Sequence, residues 1–385
     1  MNEREVAELR RRFRPEKNSI SRVRGCYVND QKEIISELNQ TLGAMREEEG
    51  QALLAILKKT LSGALGKNLL DVEFTTQQVL QGEEHKLLMA LRNSHLEDDE
   101  AVHGLYRKII DSVQLPENYM ILLAADSYDV PAFGKDGARQ EDAQEVFSYF
   151  LCSVCPVKLK KPALSYYAKE SRFFSTAADL VLCPPELGFL FPAFDDRSAN
   201  LYNTLCYTRS AEDNHPAFID ALFKAEAPMP AQVQKETFQS MLGYAVGEDC
   251  GVRVVQTVHE ELCNLIAEHK ASREQEPLTV TKATLKGVLA GCGVAEERVE
   301  AFSQEFDAQF GEDSQLRPQN LVDTGHFQLK TPDVTIRVNP DRKDLIETRR
   351  IGGNPYILIR ADEGVEVNGV PVRIGEKEPE AEGVS

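Results

Sequence analysis

What the 385-residue sequence lacks narrows its function more than what it contains. No apolar run approaches the ~18 residues needed to span a bilayer. The first residues, MNEREVAELRRRFR, are polar from the second position and charged from the third, and carry no apolar core of a secretory signal. The expectation is therefore a soluble, cytoplasmic protein without a membrane partner. No G-x-G-x-x-G and no G-x-S-x-G occurs, so the commoner dinucleotide and serine-hydrolase chemistries have no motif to rest on. Gly63-Ala-Leu-Gly66-Lys67-Asn68 is only a fragment of a phosphate loop. Two residues instead of four separate its glycines, and Asn68 stands where Ser or Thr would hold Mg²⁺. No cofactor is implied.

The eight cysteines are scattered, and several lie in apolar runs, which suits reduced buried thiols better than a disulfide framework. Cys152-Ser-Val-Cys155 has C-x-x-C spacing, but no second C-x-x-C completes a zinc site. Within a strand, residues three apart point to opposite faces. His259-Glu-Glu-Leu-Cys263 approaches H-E-x-x-H with a cysteine in place of the second histidine, and a half-buried helix face is its default reading.

What is present is an ordinary globular balance, 42% apolar and 28% charged, with a net charge of −18. That charge opposes non-specific contact with nucleic acid or anionic lipid. The residues from Glu145 to Lys158, EVFSYFLCSVCPVK, read as a strand buried on both faces. Strand-like runs at 118–125, 179–194 and 200–209 join it in one central sheet. Helices are expected at 2–13, 30–42, 45–65, 76–93 and 98–115, with 132–144 as an exposed loop. An N-terminal α/β unit thus covers 1–209.

Asn214 is expected to cap a helix through Lys224. A helical segment covers 210–270, with helices at 231–246 and 252–270. A C-terminal α+β module covers 277–375, built of a helical pair at 281–290 and 295–310 and short strands at 326–330, 334–338, 346–350 and 356–360. Gly352-Gly353-Asn354 and Asn368-Gly369 are turn signals. Residues 376–385 form an acidic tail read as disordered. The fold class is α+β, a mostly antiparallel or mixed sheet flanked by helices, followed by a helical middle and a small β-rich module.

Two clusters carry the functional expectations. Arg10, Arg11, Arg12, Arg14, Lys17, Arg22 and Arg24 make a basic segment in an acidic chain, and forked guanidinium donors match phosphate. Nucleic acid or an acidic protein surface is the partner such a cluster suits. Salt bridging on a solvated helix is the alternative. Asp126 and Asp129, and Asp195 and Asp196, each follow a predicted strand end, where open sheets hold ligands and hard cations. A divalent-cation-dependent enzyme built on these four is the rival to a non-catalytic binding protein, and turn chemistry is their bland reading. A protein-interaction scaffold is the third reading.

The runs LRRRFRPEKNSISRVRGCYVN (9–29), FLCSVCPVKLKKPALSY (150–166), PPELGFLFPAFDDRS (184–198) and ADEGVEVNGVPVRI (361–374) resemble an uncharacterised bacterial family classed as a domain of unknown function. The resemblance spans nearly the whole chain and transfers no site residues. The order of elements, with YMILLAADSY, VFSYFLCSV, DVTIRVN and NGVPVRI, resembles that of the bacterial nucleoid-associated protein family, a likeness that implies a nucleic-acid partner.

Overall fold

The computed structural model describes residues 1–131, 145–246, 252–272, 277–361, 364–367 and 370–372. The loop expected at 132–144, the Asn368-Gly369 turn and the acidic tail fall outside them. The chain forms two compact units, one built on Met1–Thr237 and the other on Phe238–Ser272 with the residues from Leu278 onward.

In chain order the first unit contains α1 (Glu3–Arg12), β1 (Arg22–Val28), β2 (Ile34–Thr41), α2 (Glu47–Lys59), β3 (Leu69–Glu73), α3 (Thr76–Gln81), α4 (Glu83–Asn93) and α5 (Asp99–Ser112). It continues with β4 (Tyr119–Val130), β5 (Glu145–Lys160), β6 (Ala163–Tyr167), β7 (Arg172–Thr176), β8 (Asp179–Leu182), β9 (Leu187–Phe191), β10 (Ala193–Asp195), β11 (Ser198–Asn200), β12 (Asn203–Thr208) and α6 (Pro216–Phe223). One sheet runs β2-β1-β4-β5-β9-β12-β3, and β8 pairs with the far end of β5. Every named pairing in it is antiparallel.

Alternation along β5 supplies both faces of this sheet. Phe150, Cys152 and Val154 meet Leu88 and Leu91 of α4, Val102, Leu105 and Ile109 of α5, and Phe218 and Phe223 of α6. Phe147, Tyr149, Leu151 and Cys155 meet Val6 and Leu9 of α1 and Leu54 and Leu57 of α2. A strand covered on both sides has no solvated face to carry polar residues, which is why its sequence is a continuous apolar run. The fold is α+β, with an antiparallel sheet between two helical layers.

In the second unit Phe238, Leu262, Ile266, Leu285, Phe302 and Phe306 share one core across the helices Val252–Ser272, Lys282–Gly291 and Glu296–Phe310. Three hairpins follow, Phe327–Lys330 with Thr335–Val338, Ile346–Ile351 with Asn354–Ile359, and Val365–Val367 with Val370–Val372. Gly352 and Gly353 make the second hairpin's turn at positive φ, where a side chain is strained.

Several local expectations are corrected. Residues 30–42 are not a helix. Asn29 accepts from the amides of Gln31 and Glu33 through its side chain, closing a turn that sends β2 back along β1. The spacing of Asp30 and Glu33 mimics a capping box, while β-branched Ile34-Ile35 favours the strand. The helix expected at 45–65 ends at Lys59, and that at 76–93 breaks at Gly82. β4 runs on to Val130, so Asp126 and Asp129 lie within a strand rather than after it. The run 179–194 breaks into β8, β9 and β10 around its prolines. α6 starts at Pro216, and Asn214 donates instead to the Pro228 carbonyl at 2.7 Å.

Candidate functional site

α1 forms because Asn2 and Glu5 close a capping box, and Phe13 and Pro15 end it. Its apolar stripe, Val6 and Leu9, lies on the sheet, and that docking aims its basic C-terminal turn at β4. There Arg12 meets Asp126, so a residue from each of the two candidate clusters becomes the other's partner. Nε of Arg12 donates to Oδ2 of Asp126 at 3.1 Å and Nη2 to Oδ1 at 3.2 Å. The Ser19 amide donates to Oδ1 at 2.6 Å and the Tyr149 hydroxyl to Oδ2 at 2.9 Å. Asp126 is 2% exposed. Four donors occupy its two oxygens, so it has little capacity left for a cation or substrate while Arg12 stays in place.

The network continues outward. Arg12 donates to the Ser127 carbonyl and lies over the Tyr128 ring, 4.8 Å from its centroid. The Tyr128 hydroxyl donates to Glu8, which also accepts from Arg197 at 2.9 Å and 3.3 Å. Burial, and then the hydrogen bond to Glu8, push the Tyr128 phenol up to about 12. Burial first, then Asp126, hold the Tyr149 phenol well above its ordinary value. These are phenols kept neutral as donors to carboxylates, an arrangement that locks α1 onto β4.

The remaining candidates are dispersed. Arg10 donates to the carbonyls of Leu61 and Gly63, and buried Arg24 to the Leu96 carbonyl while pairing with Asp99 at 2.7 Å. Arg11, Arg14, Lys17 and Arg22 are exposed. Asp129 is exposed on β4. Asp195 accepts from Asn200 at 3.2 Å and stands 3.6 Å from the Met1 amine, while Asp196 and Arg197 take positive φ in the turn between β10 and β11. Among the described residues no three His, Cys, Asp or Glu side chains are grouped to hold a metal.

Cys152 and Cys155 are free, buried and on opposite faces of β5, and burial pushes the Cys155 thiol up to about 12. His259 lies 2.9 Å from the Asp323 carbonyl through Nε2, and 3.6 Å from the Cys263 thiol through Nδ1. No described helix is long and apolar enough to cross a membrane.

A feature absent from the sequence-based candidates is the ribbon at the end of β5. Beyond Val157, β5 pairs with β8, and β6 with β7 continues the excursion. Described residues from Lys158 to Val181 are exposed, except half-buried Ser165. Leu159, Leu164, Tyr166, Phe173 and Leu180 are between 56% and 73% exposed. Tyr166 and Phe173 face each other across the ribbon, ring centroids 5.2 Å apart. Lys158, Lys160, Lys161, Lys169 and Arg172 outnumber Glu170 and Asp179, so the ribbon is basic on an acidic chain. The legible signal was the pair of aromatic doublets, Tyr166-Tyr167 and Phe173-Phe174, flanking the polar tip AKES.

The fold and these sites define an α+β protein with a rigidly locked N-terminal helix and an uncovered apolar, basic ribbon. The chain belongs to the family described as domain of unknown function (DUF4317), whose model matches residues 1–370. No curated protein and no solved structure matches it, so the element-order likeness to nucleoid-associated proteins gains no support.

Proposed function

We propose that this chain is a non-catalytic binding protein whose contact element is the ribbon of residues 158–181. The observation that carries the reading is the five large apolar side chains there, all more than half exposed, on a two-stranded element whose β6 and β7 join no other strand among the described residues. An isolated two-stranded ribbon is marginal in water, and contiguous exposed apolar surface of this kind marks interaction sites. The basic segment fits the reading less directly, since Arg10, Arg12 and Arg24 already use their guanidinium groups within the protein.

The test is photocrosslinking in cells with a benzophenone amino acid at Tyr166, compared with the same group at Leu80, exposed but away from the ribbon. Adducts of discrete mass at 166 and none at 80 are expected. Equal labelling at both positions, or none at either, refutes the reading.

A further inference from the structure

We infer that the ribbon's partner is a second copy of this chain, and that it docks along the open edge of β2. The inference rests on the binding reading above and goes beyond it by naming the occupant. Charge favours it first. The ribbon is basic, with Lys160, Lys161 and Lys169 exposed and without a carboxylate partner among the described residues, whereas the whole chain carries −18. The rest of the molecule is therefore more acidic still and attracts such an element, while it repels polyanions such as nucleic acid.

Shape and chemistry choose the edge. β2 is the outermost strand of the large sheet and pairs only with β1 among the described residues. It is eight residues long and almost wholly exposed, with Ile34 and Ile35 at 43% and 55%. Glu37, which pairs with His103 at 3.0 Å, is its only charged residue, and the turn that leads into it carries Asp30 and Glu33 against Lys32, so this edge of the sheet is acidic where the ribbon is basic. Open strand edges are templates for pairing with another chain, and an added strand supplies main-chain hydrogen bonds while side chains set specificity. Among the described residues β6 and β7 pair with each other and with no third strand, so the ribbon can add to β2.

The same molecule does not readily satisfy itself. β5, which carries the ribbon, is separated from β2 by β1 and β4, and the ribbon leaves the sheet beyond the β5 residues that pair with β9. A two-fold pair in which each copy gives one ribbon and accepts one is a closed dimer that covers both β2 edges.

The closing experiment mixes purified benzophenone-166 protein with a second, mass-tagged copy lacking the photoprobe, and measures association of the unmodified protein by sedimentation velocity. An adduct of summed mass mapped by peptide sequencing to residues 34–41, together with a dimer at micromolar concentration, is expected. Leu164→Ser with Phe173→Ser, and separately Ile35→Lys, are expected to weaken the dimer by ~tenfold or more, because each removes apolar contact at the centre of the interface. All three residues are exposed, and circular dichroism confirms that the variants fold. A monomer throughout, or adducts mapping elsewhere on the second copy, overturns the inference. Adducts formed in cells with nucleic acid or another protein, beside a monomeric purified chain, overturn the second copy as partner yet leave the binding reading standing. Absence of ribbon adducts in both settings overturns both.

Discussion

Replacing Arg12 by methionine keeps an unbranched stem over Tyr128 and removes the charge that Asp126 faces. The carboxylate is 1% exposed in its side chain and Arg12 15%, so the pair is close to a buried one. After the change Asp126 keeps the Ser19 amide and the Tyr149 hydroxyl as donors but has no countercharge. Breaking a buried pair from one side costs ~3–5 kcal/mol, and the two surviving donors place this case near ~3. For a unit of this size that is a fall of ~6–12 °C in Tm. Removing both charges, as Arg12→Met with Asp126→Leu, leaves no stranded ion and should cost less than Arg12→Met alone. The assay is urea unfolding followed by tyrosine emission. The sequence has no tryptophan, and all its tyrosines except Tyr244 and Tyr356 lie in the first unit. If Arg12→Met costs under ~0.5 kcal/mol, or the single effects simply add as they do for distant sites, the network is not holding α1 to the sheet.

Two further outcomes follow from packing and proton linkage. A β-carbon at Gly188 would collide with the Cys152 carbonyl and stand 2.7 Å from Cγ2 of Thr60. The carbonyl belongs to the neighbouring strand and cannot swing aside, so Gly188→Ala is expected to destabilise by ~1–3 kcal/mol, measured in the same urea assay; an unchanged midpoint contradicts the packing. Burial pushes the thiols of Cys26 and Cys155 from an ordinary 9.0 up to about 12, and the Tyr128 phenol from 10.0 up to about 12. The native state then holds protons that the unfolded chain releases first. Their stabilisation is complete below pH 9 and declines as pH rises from 9 to 12, so Tm should fall over that range. A Tm flat to pH 11 refutes this assignment of buried neutral groups.

The central sheet was legible because burial on both faces writes itself into β5 as an uninterrupted apolar run, and the opposed faces of Cys152 and Cys155 follow from strand geometry alone. β2 was not legible. A short exposed strand has no apolar face to impose a period of two, and its identity comes from pairing with β1, a contact no local pattern records. The same limit applied to Arg12 and Asp126, which are 114 residues apart. Each looked like a free group awaiting a ligand, because a charge and its partner are visible together only after the chain has folded.

The distinction that matters for function therefore lies in what folding leaves uncovered. The conspicuous charges, Arg10, Arg12, Arg24 and Asp126, are used up in contacts within the first unit. The ribbon's aromatics, which on composition alone belong in a core, remain in water. Covering one aromatic side chain removes ~150–250 Å² from solvent, at ~25 cal/mol per Å². Tyr166 and Phe173 together with Leu159, Leu164 and Leu180 thus represent an unrealised burial energy that nothing else described in the chain collects. A partner that covers them gains it, and removing them should abolish binding while leaving the fold intact.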